Sequence, residues 1–226
     1  MKPTIYIIGD STAAKKDADK RPESGWGEHL EQFLPGVVVK NHAMNGRSTK
    51  SFLDEGLFQA VEEGMQEGDY LLIQFGHNDQ KEEDPTRYTE PFESYQENLR
   101  IFTEAAQKKQ ATPVILTSVS RRAFKDGELD PNTLGAYPDA ALAFAKVQGV
   151  VSLDLFKRTQ ELLVSLGEMQ SAALFLQLEK GVHPNYPDGV VDNTHFNETG
   201  ARRVAELVAE ELKHAIPSIT QQKGND

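Results

Sequence analysis

The chain has 226 residues, 38% of them hydrophobic and 26% charged, a make-up ordinary for a globular protein and unlike that of a fibrous or disordered one. It contains no cysteine, which excludes disulfides, thiolate nucleophiles and Cys-ligated zinc, and no run approaches the ~18 apolar residues of a membrane span. The formal net charge of −11 disfavours nucleic acid and anionic membranes as partners. It leaves room for an acidic ligand held by local basic residues, because salt screens the global field beyond about 8–10 Å.

The length predicts one α/β domain over residues 1–217, with 218–226 a polar, frayed tail. Met1-Lys2-Pro3 runs directly into a β-branched segment, so no signal peptide is expected and cytoplasmic residence fits best. Thr4 to Ile8 reads as a buried strand that stops at Gly9 and hands over to Asp10-Ser11-Thr12. After a charged loop over 15–23, the spacing of Trp26, Leu30, Phe33 and Leu34 predicts a helix ended by Pro35-Gly36. Val37 to Lys40 is a second strand, and a helix interrupted near Gly56 is expected over 51–65.

Tyr70 to Phe75 is the third strand and stops at Gly76-His77-Asn78-Asp79. A charged loop over 80–90 precedes an amphipathic helix whose buried stripe is Phe92, Tyr95, Leu99, Phe102 and Ala106. Val114 to Val119 is strand four, 120–134 a surface loop, 136–148 a helix and Val150 to Leu153 strand five. A long helix over 155–179, a loop over 181–196 and a last helix capped by Asn197 complete the chain. Strand and helix alternate five times, the pattern of a doubly wound parallel sheet with helices on both faces.

In such sheets ligands sit beyond the carboxyl ends of the strands, and this is where the reactive residue types fall. Ser11 follows strand one and is the candidate nucleophile. Asp192 stands three residues before His195, a spacing that lets the carboxylate reach Nδ1 and leaves Nε2 free to take a serine proton. Gly46 after strand two offers an unobstructed backbone N–H. Asn78 after strand three offers an amide, and Ser11 its own N–H, as donors for an oxyanion. Each piece has a plainer reading as a turn or a cap; their order along the chain is what points to acyl transfer.

That ordered set resembles the four sequence blocks of the SGNH (GDSL-type) hydrolases: Gly9-Asp10-Ser11-Thr12, Asn41 with Gly46-Arg47-Ser48, Gly76-His77-Asn78-Asp79, and Asp192 with His195. Gly25-Trp26-Gly27-Glu28 and Phe75-Gly76-His77-Asn78-Asp79 bring it closer to the rhamnogalacturonan acetylesterase branch. The resemblance implies a flavodoxin-like sheet of five parallel strands and a Ser11-His195-Asp192 triad with Ser11, Gly46 and Asn78 as oxyanion donors. It also implies removal of acetyl groups from a pectic oligosaccharide, without cofactor or metal.

Asp10, His77, Arg47, Trp26 and His183 are the further candidates for contact with substrate. Against that, Asp10 and Asp79 read as turn-holders, His77 as a brace and Trp26 as core. His183 and Tyr186 sit in the loop ahead of the Asp192–His195 pair. Arg47, Arg121, Arg122 and Lys125 are candidates to meet a galacturonate carboxylate, or else ordinary surface charges.

Three alternatives compete. A lipid or thioester substrate would call for an apolar groove, whereas the loops over 15–23, 80–90 and 120–133 are charged. A metal-dependent phosphoesterase would use Asp10, His42, His77, Asn78, Asp79 and His195 as ligands. A sugar-binding module without catalysis is the third.

Overall fold

A computed structural model describes residues 2–220. In chain order the strands are β1 (Thr4–Gly9), β2 (Glu23–Ser24), β3 (Val38–Asn41), β4 (Tyr70–Gln74), β5 (Thr112–Leu116), β6 (Phe124–Lys125), β7 (Glu128–Leu129), β8 (Val151–Leu153), β9 (Phe175–Leu178) and β10 (Val190–Asn197). The α-helices are α1 (Thr49–Asp54), α2 (Gln59–Gly64), α3 (Gln96–Lys108), α4 (Tyr137–Gln148), α5 (Leu155–Ser171) and α6 (Glu198–Ala215).

The central sheet has the order β3-β1-β4-β5-β8 with every pair parallel. Counting only these five strands, the order is 2-1-3-4-5, that of a flavodoxin-like sheet, whose topological switch point lies between its first and third strands. Here those are β1 and β4, so the crevice that the topology opens lies between the turns after Gly9 and Gln74.

Side chains alternate across each strand, and the alternation divides the core in two. Ile5 and Ile7 join Leu72, Val114 and Leu116 on the face covered by Val204, Val208 and Leu212 of α6. Tyr6 and Ile8 join Leu71, Ile73 and Ile115 on the face covered by Leu99 and Phe102 of α3 and Phe144 of α4. Both faces are buried, which is why these strands read as unbroken apolar runs. No helix among the described residues is long and apolar enough to cross a membrane.

Several segments differ from the sequence expectation. Trp26 to Leu34 forms two short 3₁₀ turns, Trp26–Glu28 and Leu30–Phe33, in place of one α-helix. At its start Trp26 N and Gly27 N donate to the carbonyls of Thr12 and Ala13, which ties this backbone to the Ser11 turn, and the N–H groups that follow close the tighter 3₁₀ pattern, His29 N to Trp26 O and Gln32 N to His29 O.

The helix over 155–179 ends early. Gly167 breaks its dihedrals at φ 74°, and Phe175–Leu178 leaves as β9 to pair antiparallel with β10. The loop over 181–196 is correspondingly shorter, since Val190–Asn197 is a strand with a register shift between Val191 and Phe196.

At the start of α3, Phe92 lies exposed on a single wide turn, Pro91–Tyr95, and the buried stripe begins at Tyr95. The tail is ordered further than expected: Pro217–Thr220 forms a 3₁₀ turn that buries Ile219 in the core, while 221–226 lie outside the described residues.

Candidate active site

The turn after β1 is held by Asp10. Its carboxylate is fully buried and accepts from Thr12 N at 2.9 Å and Thr12 Oγ1 at 2.8 Å, while its carbonyl accepts from Ala13 N and Ala14 N. A side chain at Gly9 would stand 2.6 Å from the Gln74 carbonyl of the neighbouring strand, so the sheet itself demands glycine there. The chain reverses tightly, and Ser11 is left at the end of the sheet.

Ser11 Oγ lies 2.8 Å from His195 Nε2, across 184 residues of chain. His195 Nδ1 lies 2.7 Å from Asp192 Oδ2. The other carboxylate oxygen, Oδ1, accepts from Thr194 N at 2.7 Å and His195 N at 2.9 Å. Burial pushes the Asp192 carboxyl up, but the hydrogen bonds from His195 and Thr194 outweigh it and hold the group at about 2. An ionised carboxylate at Nδ1 selects the tautomer that carries its proton there, so Nε2 is the acceptor facing Ser11.

The bulge in β10 is what allows a three-residue spacing to close this way. Arg122 pins it: its N donates to Asn193 O at 2.8 Å and its Nη1 to Asn193 Oδ1 at 3.0 Å. Gln177 of β9 donates to the same Asn193 oxygen at 2.6 Å.

Gly46 and Asn78 come from the turns after β3 and β4. Gly46 has φ +76°, a conformation that L side chains resist, and among the described residues neither its N–H nor that of Ser11 has a protein acceptor. Asn78 Nδ2 donates to Arg47 O at 3.0 Å, which fixes the amide and ties the second turn to the third. Lys16 ties the first turn to the second. Its side chain is completely buried, and Nζ reaches Ser11 O at 2.5 Å, Asn45 Oδ1 at 2.6 Å and Glu23 Oε1 at 2.8 Å. The result is a serine beside an imidazole–carboxylate pair, with backbone and amide donors on adjoining turns, the component set of acyl transfer.

Of the residues expected to contact substrate, several are otherwise engaged. Asp10 is sealed beneath the turn it holds. Trp26 is fully buried and its Nε1 donates to Gln74 Oε1 at 2.7 Å, so it offers no platform for a sugar. Arg47 is turned away, its guanidinium donating to Glu55 Oε2 at 2.6 Å and to Asn45 O at 2.9 Å. Arg122 is taken up by the bulge.

His77 is buried and kept neutral: burial drives its pKa down to about 4, against the pull of Asp10 and with the push of Arg121 and His195. The Val119 backbone is close enough to favour its charged form, but neither ring nitrogen reaches a partner in hydrogen-bond geometry among the described residues. His183 pairs with Tyr186 in a small bridge, on a loop fastened to 18–21 through Asn185 and Tyr186. The Tyr186 phenol is raised by burial and then by the Glu23 and Asp192 carboxylates.

Lys16 and Arg87 were missed in the sequence. Lys16 lies in a run that reads as solvated loop, and nothing local marks a lysine that will be buried against Ser11 and Glu23, five and seven residues away, and the remote Asn45. Arg87 lies in the charged loop over 80–90, and its Nη1 is 3.4 Å from Asn78 Oδ1.

Residues 7–203 match the GDSL-like lipase/acylhydrolase family. The rhamnogalacturonan acetylesterase RhgT of Bacillus subtilis is 46% identical over 92% of this chain and 89% of its own length. The probable rhamnogalacturonan acetylesterase YesY of the same organism is 34% identical over 98% and 97%. Among solved structures, B. subtilis YxiM superposes with a TM-score of 0.76 at 23% identity, covering 95% of this chain and 57% of that one. A catalytic mutant of Axe2, an acetylxylan esterase from Geobacillus stearothermophilus, superposes with a TM-score of 0.63 at 18% identity over 94% and 96%, a likeness of fold. With its blocks in order on a five-stranded parallel sheet, and with a family match spanning most of its length, the chain belongs to the GDSL-like lipase/acylhydrolase family.

Proposed function

We propose that the protein is a serine acetylesterase that removes acetyl groups from pectic, rhamnogalacturonan-type oligosaccharides, with Ser11, His195 and Asp192 as its triad. The observation that carries the reading is the unbroken relay from Ser11 Oγ to His195 Nε2 at 2.8 Å and from His195 Nδ1 to Asp192 Oδ2 at 2.7 Å. The choice of acetyl ester and pectic sugar is supported by the relatives of 46% and 34% identity that bear that name.

The chemistry follows from the geometry. His195 Nε2 takes the hydroxyl proton as Ser11 Oγ bonds to the acetyl carbonyl carbon, and Asp192 balances the imidazolium through Nδ1–H. The carbonyl electrons move to oxygen, which faces the N–H groups of Ser11 and Gly46 and the Asn78 amide. The bond to the sugar oxygen then breaks, and His195 returns its proton to that oxygen. Water, deprotonated by the same nitrogen, attacks the acetyl-serine, and acetate leaves with Ser11 restored.

A lipid or thioester substrate fits less well. The surroundings of the site include Arg87, Asp84, Lys81 and Arg121, a poor wall for a long acyl chain. The phosphoesterase reading loses its ligand set, since His42 stacks on Tyr6 and Asp79 is held by Thr49 and Thr89. Acetate release from acetylated rhamnogalacturonan oligosaccharides, beside turnover of short and long p-nitrophenyl esters, tests the proposal. Wild type should release acetate and favour the short ester, and Ser11→Ala should do neither. A preference for the long ester with no acetate from the oligosaccharide would overturn it.

A further inference from the structure

Met44 to Arg47 form a β-turn closed by Arg47 N, which donates to Met44 O. Asn45 and Gly46 are its central residues. Gly46 has φ +76° while Asn45 stays out of the positive-φ region, which makes the turn type II. A Cβ on Gly46 would meet nothing closer than 3.8 Å, so the dihedral and not crowding calls for glycine. Types I and II differ by turning over the central peptide, here the one joining Asn45 to Gly46. That peptide carries the Gly46 N–H, and its planar trans geometry sets N–H and C=O on opposite sides. The turn type therefore decides whether a donor or an acceptor is offered to an acyl oxygen.

The carbonyl side of this peptide is held. Arg47 Nη1 donates to Asn45 O at 2.9 Å, and the guanidinium is itself braced by Glu55 Oε2, from Nε at 3.1 Å and Nη2 at 2.6 Å. Lys16 Nζ grips the Asn45 side chain, reaching Oδ1 at 2.6 Å. Arg47 also fixes the Asn78 amide, whose Nδ2 donates to the Arg47 carbonyl at 3.0 Å. Two of the three proposed oxyanion donors, from two different turns, thus rest on one arginine. Its charge is compensated by Glu55, so what it supplies is direction, together with polarisation of the peptide whose carbonyl it bonds.

We propose that Arg47 is a positioning residue for the oxyanion hole: its guanidinium, bonded to Asn45 O, locks the central peptide of the turn in the type II orientation and so aims the Gly46 N–H at the acyl oxygen. This role rests on the acetylesterase reading above. With the lock removed, the peptide turns over in part of the molecules and sets the Asn45 carbonyl against the developing negative charge.

The test compares wild type, Arg47→Met and Arg47→Lys in hydrolysis of p-nitrophenyl acetate and in binding of phenylboronic acid, which forms a tetrahedral adduct on a reactive serine. Arg47→Met should lose about 10–10²-fold in kcat, less than the ~10²–10³-fold of a deleted donor, because Gly46 still admits the type II turn. KM should stay close to the wild-type value, and boronate affinity should fall by the same factor as kcat/KM. Arg47→Lys can still donate to Asn45 O and should recover most of the loss. A wild-type kcat in Arg47→Met, a loss confined to KM, undiminished boronate binding or a lysine variant as slow as the methionine one would each overturn the lock while leaving the esterase intact. A wild type inert toward the ester would instead defeat the esterase reading. Should Arg47→Met fail to fold, Arg47→Ala is judged by the same criteria.

Discussion

Lys16 donates to the carbonyl oxygen of Ser11 from a completely buried position, with Glu23 and Asn45 as its other two partners. A buried ammonium is tolerated only when paired and fully hydrogen-bonded, and removing it leaves Glu23 as an uncompensated charge beneath the nucleophile turn. Lys16→Met is therefore expected to cost about 3–5 kcal/mol in urea unfolding. Adding Glu23→Gln should recover a large part of that loss. A neutral effect of the single substitution would show that the ammonium is hydrated in solution.

Asn78 is positioned by its bond to Arg47 O, so truncating it should remove an oxyanion donor without disturbing the triad. Asn78→Ala is expected to lower kcat by about 10²–10³-fold with a much smaller change in KM. Asn78→Asp should be at least as damaging, because it places a negative charge where negative charge develops. Steady-state kinetics on a short ester reads both, and an unchanged kcat would remove Asn78 from the proposed oxyanion hole.

His77 and Asp79, two residues apart, titrate in opposing senses. Burial holds His77 at about 4, so between pH 4 and 6.5 the unfolded chain binds its proton and the folded protein does not; stability from this group rises with pH. Burial pushes Asp79 up to about 7 despite its bonds from Thr49 and Thr89, so below that pH the folded protein keeps a proton that the unfolded chain loses above pH 3.8. Stability from this group falls with pH over that window. Each slope is at most about 1.4 kcal/mol per pH unit, and in wild type they largely cancel. Asp79→Asn should leave a stability that climbs from pH 4 to 6.5, and His77→Asn one that declines. Denaturant midpoints across that range would refute the pairing if both variants slope the same way.

Much of the frame was legible because the signals were local. The apolar run ending at Gly9, the turn at Gly46, the helix break near Gly56 and the Asn197 cap, whose Oδ1 accepts from Gly200 N, each follow from a few adjacent residues. The segments read differently depend on distant partners. Trp26 to Leu34 has helical spacing, yet Thr12 and Ala13 take the N–H groups of Trp26 and Gly27 at its start and the remainder closes as 3₁₀ turns. Phe175–Leu178 continues a leucine-rich helical pattern and becomes a strand only because β10 lies beside it. Lys16 and Arg87 look like solvated charges until remote turns close around them. The small hairpin at Asp126-Gly127, by contrast, carried a visible Asp-Gly turn signal within a stretch read as plain loop.

The central claim is that Ser11 and His195 meet as nucleophile and base, and its most direct measurement is covalent trapping. After treatment with a sulfonyl fluoride, intact-mass and peptide mass spectrometry should find one adduct, on Ser11, with esterase activity lost in proportion and His195→Ala barely labelled. Full activity in a protein fully modified at Ser11, or activity that resists the reagent and vanishes with a chelator, would contradict the account.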